Sequence, residues 1–460
     1  MASPARAPGR PYRDVSFWFD ALAESGADSL TPRDPLDGDL EVDVCIVGAG
    51  LTGLWTAHYL LQADPGIRIA IVEKEIAGFG ASGRNGGWCS ALFPRSAASL
   101  ERNHGRSAAV AMRRAMVHTV DEVDRATREL GIDCDWAKGG TLALVRSPAQ
   151  RRAAESERRA ARRYGVDHLD FTEVGNSATP ALFDPSCARA QPGKLVRQLA
   201  QSLERRGVRI LEKTAAVDFE PRRVHTRNGT VRCERVVLAL EGYGATLAKT
   251  HRRVLPLYSL MIATEPLPDA VWDEIGIRHG TTFTDYRHLL IYGQRTADNR
   301  VAFGGRGARY HFGSAIRPQY DRVEPVFRHL ERALSELFPV LSHAVVTHRW
   351  GGPLGVPRDW HPSVSVNPRN GIACAGGYVG DGLSTTNLAG RTLADLITGR
   401  ASELVTLPWV GHRSPNWEIE PLRFLGANLG MAATAAADRE EALTRRGSVV
   451  ARVIGPLVGH

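Results

Sequence analysis

Apolar residues form a run over residues 42–47, interrupted only by Asp43, and another over 69–72, and between them they recur at helical spacing over 51–61. A continuous run reads as a strand covered on both faces, so the opening pattern predicts strand, helix, strand, as in a parallel sheet. Helical patterns follow at about 107–130 and 148–164, with a strand-like stretch at 141–145 between them. Another helix is expected over 192–207, which has proline at its start and glycine at its end. Strands are read at 208–211, 215–219 and 236–240, and a hairpin over 223–232 with Asn228-Gly229 at its turn. From 256 to 360 the period changes to alternation, which predicts antiparallel strands within 257–267, 287–295 and 300–307, and a helix over 322–338. A strand at 372–375 and a helix from about 383 return to the first pattern. An amphipathic piece at 15–22 is expected to lie on the main body as an arm, and the Ala-rich residues 427–447 to form a last helix.

Glycines punctuate this pattern where chemistry is expected. The first apolar run ends in Gly48-Ala49-Gly50-Leu51-Thr52-Gly53, and Glu73, with Lys74 after it, stands 73 − 53 = 20 residues beyond the last glycine. This is the dinucleotide fingerprint. Gly48 allows a tight turn, Gly50 a close approach to a pyrophosphate, and Gly53 close packing of helix on strand. The N–H groups at the start of that helix, around Leu51 and Thr52, suit phosphates. Glu73 suits a ribose 2′-hydroxyl and repels a phosphate there, which argues against NADP. A second glycine cluster covers 77–88 and a third 371–390. The composition of 77–88 suits neither a stable helix nor a central strand and suits a backbone pressed against a ligand, while 371–390 runs from a strand through glycines into a helix whose N-terminus is free to face one.

Composition narrows the class without naming a reaction. The 460-residue chain is 43% apolar and 23% charged, the balance of an ordinary globular protein with two to three domains. Its formal charge of +8 comes mostly from scattered arginines, with no basic block of the kind that makes a nucleic-acid arm. The six cysteines form no close pair and no metal-type spacing, which suits a reducing compartment; no metal is expected. Residues 1–40 are polar and Pro-rich without an apolar core, so no secretory signal is read, and no membrane span is expected. The expected location is cytoplasmic.

GAGLTG, its terminal Glu73 and the later GASGRNGGW (residues 80–88) together resemble the D-amino acid oxidase superfamily of flavoproteins. The resemblance implies FAD, and a two-domain α/β fold: a Rossmann-type FAD-binding domain with an inserted antiparallel-sheet substrate domain. On that pattern residues 1–40 are an N-terminal arm, and 41–100, 191–255 and 361–400 are three parts of the FAD-binding domain. Residues 101–190 are a mixed helical and substrate-domain segment, 256–360 the antiparallel substrate domain, and 401–460 a tail. By resemblance Ser82, Arg84, Asn85, Gly86 and Gly87 run past the ribityl chain and flavin, and the backbone of Val217 contacts adenine. Gly377, Gly380, Asp381, Gly382, Leu383 and Thr386 open a second helix aimed at the flavin pyrimidine. The family more often has small residues where Leu240 and Glu241 stand.

The implied reaction is oxidation of a C–N bond, with hydride passing from the carbon beside an amine to the flavin and the imine then hydrolysing. The substrate is a small amine, and the acceptor oxygen or an electron-transfer partner. The tail over 407–426 is similar to that of the gamma-glutamylputrescine oxidase group, and a group of aminophosphonate oxidoreductases shares the motifs. Both substrate types need a cation at the far end of the pocket. Tyr258, Arg306 and His361 are the candidate catalytic residues, and Tyr286, Arg287 and Trp350 the candidate substrate contacts. Two other readings stay open: a flavin monooxygenase using NAD(P)H, and a flavin-bearing RNA-modifying protein.

Overall fold

The structure is a computed structural model that describes residues 12–444 and 446–454. The opening run becomes the strand Val44–Val47, the centre of a six-stranded sheet. Its order is Ser363–Val366, Ile372–Gly376, Arg235–Leu238, Val44–Val47, Ile69–Val72, Arg209–Leu211. All neighbours are parallel except the edge strand Ser363–Val366. Every residue of Val44–Val47 is buried because both faces are covered. Val44 and Ile46 face the helices Leu51–Ala63, Pro192–Arg205 and Gly382–Thr398, whereas Cys45 and Val47 meet a smaller four-stranded sheet that carries Phe219, Val224 and Val231. The helices Leu51–Ala63 and Gly382–Thr398 cross in close contact at Gly390, where a Cβ would stand 2.7 Å from the Trp55 carbonyl carbon.

The alternating stretch builds a second, eight-stranded sheet. Its order is Val346–Val356, Leu255–Thr264, Val301–Arg306, Ile291–Arg295, Thr282–Asp285, Thr141–Leu144, Thr179–Asp184, Asp170–Val174. One pair, Thr282–Asp285 with Thr141–Leu144, is parallel, so the sheet is mixed and draws three strands from 101–190. The edge strand Asp170–Val174 is largely exposed and carries Asp170 and Glu173, so it shows no apolar alternation. The helix Glu324–Leu337 covers one face with Val326, Phe327, Leu330 and Leu334.

The expected arm is the helix Phe17–Glu24, capped by Ser16, and its three aromatics Phe17, Trp18 and Phe19 are buried. They grip the second glycine cluster: Ser16 Oγ donates to the Gly83 carbonyl (2.7 Å) and Trp18 Nε1 to that of Asn85 (2.8 Å). The last long helix runs over Leu422–Thr444, starting earlier than its alanine content suggests, with Leu422, Leu425 and Leu429 exposed. Among the described residues no helix is long and apolar enough to cross a membrane, and no His, Cys, Asp and Glu side chains cluster as metal ligands.

Candidate functional site

The three glycine clusters, far apart in sequence, meet around one cavity at the carboxyl ends of the parallel strands. This is where open α/β sheets bind ligands. Gly48 has φ 109°, and a Cβ there would lie 2.6 Å from the Ala239 carbonyl oxygen. A Cβ on Gly53 would lie 2.2 Å from the Gly48 carbonyl oxygen, which is why the helix can start so close to its strand. Gly50 is the N-cap and contributes no side chain, while the Leu51 N–H donates to Ser82 Oγ at 2.8 Å. Glu73 is half-buried, and its two oxygens accept from the Ala49 and Glu75 amides, both at 2.9 Å. Burial pushes its carboxyl up to about 7 in spite of those amides, with the charges of Glu212 and Glu75 adding to the rise.

The closing segment supplies a second open helix end. Gly382–Thr398 has Asp381 at its N-cap, yet the side chain makes no capping bond. Gly380, Asp381, Gly382, Leu383 and Thr386 all line the cavity. Four other helices are capped by Ser16, Ser96, Ser147 and Gln191. At both helix ends facing the cavity the N-cap residue's own side chain makes no capping bond, and at the first the Leu51 N–H is met by Ser82 Oγ, which leaves other first-turn amides for an anion or a polar ring edge. Thr52 Oγ1 and the Tyr378 hydroxyl, 3.1 Å apart, join the two ends. A glycine-floored turn, two helix N-termini and a half-buried carboxylate 20 residues on form a donor and acceptor set that fits a flavin dinucleotide.

Most of the sequence-derived cofactor residues line this cavity: Gly48, Gly50, Leu51, Thr52, Glu73, Lys74, Ser82, Arg84, Asn85 and Gly86, besides the five above. Gly53 supports the turn from below. Arg84 and Asn85 have side chains committed to the protein. Arg84 donates to Asp321 (2.6 Å) and to the carbonyls of Gly351 and Phe79 (both 2.8 Å), and Asn85 folds onto its own loop. Three expected contacts lie off the cavity. Gly87 backs onto the Ala190 carbonyl and Gln294, and Gly377 onto Pro357. Val217 sits where the pairing slips between Ala216 and Asp218, a bulge that leaves it 49% exposed, so Ala215 and Ala216 line the wall instead.

The candidate substrate residues divide more sharply. Arg306 ends the strand Val301–Arg306 inside the cavity, where its Nη2 donates to the Val379 carbonyl at 2.6 Å and its guanidinium lies over the Trp360 ring. It makes no ion pair among the described residues. Burial lowers its pKa, but a guanidinium stays charged. Tyr258 faces the other way, into the core under Glu324–Leu337, and its neighbour Ser259 faces the cavity. Tyr286 is bonded to Glu157 (2.6 Å), and Arg287 pairs with Asp285, both away from the cavity. Trp350 stands behind the second cluster, donating to the Arg84 carbonyl at 2.8 Å. His361 is buried against His412 and Phe93, pulled down to about 4 by burial first and the neighbouring His412 second. It does not reach the cavity.

The sequence reading missed Trp88, Tyr292, Leu354 and Glu241, which also line it. Tyr292 bonds Ser259 Oγ at 2.9 Å. Glu241 accepts from the amides of Gly377 (2.8 Å) and Gly355 (3.3 Å), tying the closing loop to the eight-stranded sheet. Its place in a small-residue motif was the one signal that marked it.

The family model described as FAD dependent oxidoreductase matches residues 43–396. Gamma-glutamylputrescine oxidoreductase of Escherichia coli is 30% identical over 82% of this chain and 88% of its own. The probable oxidoreductase OrdL of Haemophilus influenzae is 29% identical over 84% and 88%. Among solved structures, glycine oxidase from Geobacillus kaustophilus superposes with a TM-score of 0.68 at 19% identity, covering 82% of this chain and all of that one. The L-proline dehydrogenase of P. horikoshii gives 0.66 at 19% identity over 80% and 96%. With the three glycine clusters meeting at one cavity and the family model spanning most of the sequence, the chain belongs to the DAO family of FAD-dependent oxidoreductases.

Proposed function

We propose that this enzyme oxidises the C–N bond of a small amine that carries an anionic group, and that Arg306 binds the anion. The observation that carries this reading is a half-buried arginine whose guanidinium has a single carbonyl partner among the described residues, in the cavity that holds the dinucleotide cradle. A guanidinium with free donors suits a carboxylate or phosphonate through a bidentate fork. Bound FAD supplies the hydride acceptor and, after reaction, passes the electrons to oxygen or to an electron-transfer partner. The residues of this chain hold and orient the amine under the sheet, with Tyr292, Leu354 and Trp88 excluding water from the reacting carbon. The gamma-glutamylputrescine oxidoreductase relative, named for an amine substrate with a carboxylate, supports the same class.

The test is the visible spectrum of the purified enzyme without oxygen, before and after each of a panel of amines and, separately, NADH and NADPH. An anionic amine is expected to bleach the flavin band and nicotinamides to leave it. Bleaching by NADH or NADPH alone would replace this reading with the monooxygenase one.

Glu73 gives a second prediction. Glu73→Ala is expected to purify largely free of flavin, because the ribose hydroxyl loses its acceptor. Without FAD the folded chain keeps the Glu73 proton up to about pH 7, whereas a free glutamate releases it near 4.5. The flavin-free fold therefore loses stability as pH rises between those values. A ribose hydroxyl that donates to the carboxylate reverses this preference, so FAD affinity is expected to weaken below about pH 7. Titration of the flavin-free enzyme with FAD across pH measures it, and a flat profile would contradict the assignment.

A further inference from the structure

We propose that the tail of this chain, the long helix Leu422–Thr444 and the short helix Val449–Ile454 after it, docks on an anionic lipid surface. The apolar face of the long helix lies among the headgroups, and the exposed arginines of the tail meet lipid phosphates. The inference is independent of the reaction proposed above.

The long helix is fixed to the body through polar groups and turns its apolar side out, the reverse of an ordinary surface helix. On the inner side Asn428 exchanges two hydrogen bonds of 3.1 Å with the backbone of Tyr310. Asp438, also on that side, accepts from the amides of His288 (2.6 Å) and Leu289 (2.9 Å). On the outer side Leu422, Leu425, Leu429 and Leu443 are exposed, at the three- and four-residue steps that Ala432, Ala436 and Arg439 complete. The 23 residues of the helix carry this stripe over ~35 Å. Exposed Ile419 precedes it, and exposed Phe312 widens it, its ring 5.9 Å from that of Phe424. Among the described residues every exposed large apolar side chain except Val217 and Val345 lies on this tail or against it, so the exposure is one face and not scatter.

The charges of the tail sort by side as well. Every acid between Glu418 and Ile454 is bonded to its own chain. Glu418 pairs with Arg358 at 2.9 Å, and Glu420 accepts from the Tyr310 hydroxyl at 2.6 Å. Asp438 holds the two loop amides, Glu441 meets His288 Nε2 at 2.9 Å, and Glu440 accepts from the amides of Val449 and Val450. Arg439, Arg446 and Arg452 are exposed and form no ion pair among the described residues. The charge that the tail turns outward is therefore positive, on a chain whose formal charge is +8.

That sign selects the occupant. A second copy of the chain would bring the same three arginines to the contact, with every acid of the tail already engaged, and would supply no counter-charge. An anionic bilayer offers phosphates to the arginines and the acyl boundary to the leucines. Arg439 stands in line with the leucines, and its long stem lets the guanidinium reach the headgroup level. No described helix is long and apolar enough to cross a membrane, so the docked helix lies along the surface. The same helix also braces the cofactor cavity. Leu290, which follows the two residues held by Asp438, lines the cavity wall, and Tyr310 stands four residues beyond Arg306.

The experiment is flotation of the FAD-loaded enzyme with lipid vesicles, one set of equal parts phosphatidylglycerol and phosphatidylcholine, the other of phosphatidylcholine alone. Wild type is expected to bind the anionic set at least about tenfold more tightly than the neutral one, and to lose that preference in molar salt. Replacing three outer leucines together, by Leu422→Ser, Leu425→Ser and Leu429→Ser, is expected to weaken binding by about a hundredfold or more. Replacing the arginines, by Arg439→Gln, Arg446→Gln and Arg452→Gln, is expected to cost at least about tenfold on anionic vesicles and to erase the difference between the two lipids. All six side chains are exposed, so both variants are expected to keep the flavin band and turnover of wild type. Failure of wild type to bind vesicles, equal binding to both sets, or wild-type affinity in either variant would each overturn the proposal. Should the leucine variant lose its fold, the arginine variant decides alone. Sedimentation equilibrium without lipid covers the other occupant: a wild-type dimer that the leucine variant converts to monomers would assign the face to a second copy and overturn the lipid reading.

Discussion

Arg306→Met is expected to lower kcat/KM toward anionic amines by about 10²–10³ while the enzyme keeps its flavin, because a buried anion left without its cation costs roughly 3–5 kcal/mol. Methionine retains the apolar bulk of the arginine stem and loses the charge, the donors and the guanidinium's place over the Trp360 ring. Neutral amines, which never used the charge, are expected to change by less than about threefold. Arg306→Lys should recover part of the loss, since an ammonium offers charge without the planar fork. The measurement is kcat/KM for one anionic and one neutral amine on all three proteins. Equal losses for both amines would mean that Arg306 holds the Val379 loop rather than the substrate.

Gly53→Val is expected to give protein with no visible flavin band and a much lower melting temperature. The added Cβ would fall 2.2 Å from the Gly48 carbonyl oxygen and 3.0 Å from Ile46 Cγ2, so the helix Leu51–Ala63 must move off its strand. That shift opens the turn that receives the pyrophosphate and disturbs the crossing at Gly390 as well. The expected cost exceeds the ~1–3 kcal/mol of ordinary overpacking, because the atom struck is backbone. Gly426→Ala is the control. A Cβ there meets nothing within 4 Å, and in the helix Leu422–Thr444 alanine should gain about 1 kcal/mol with flavin intact. Thermal unfolding and flavin content of both variants decide the matter; a flavin-replete Gly53→Val protein would remove the turn from the site.

The three glycine clusters were legible in the sequence because their requirement is local. Gly48 needs its positive φ and Gly53 its missing Cβ whatever the rest of the chain does, and strand, helix and Glu73 follow at fixed spacing. The family, the cofactor and the two-sheet architecture could therefore be read from motifs in order. Arg306 was also legible, as a cation in the alternating block.

What alternation could not say was which side of each strand looks at the cavity. Tyr258 and Ser259 are neighbours, and the pairing of Leu255–Thr264 between two other strands turned the serine inward and the tyrosine into the core. A one-residue slip at Ala216 turned Val217 out in the same way. Tyr292 rather than Tyr286 lines the site because Tyr286 lies past the end of its strand, bonded to Glu157. His361 and Trp350 lie one layer behind the wall. The residues alone determined that this chain cradles a dinucleotide at the start of a parallel sheet, since each glycine answers to its immediate neighbours. Only the tertiary structure decided which charges line that cavity: Arg306 and Asp381, 75 residues apart, reach it through long-range strand pairing, in which a shift of one residue exchanges the two faces of a strand.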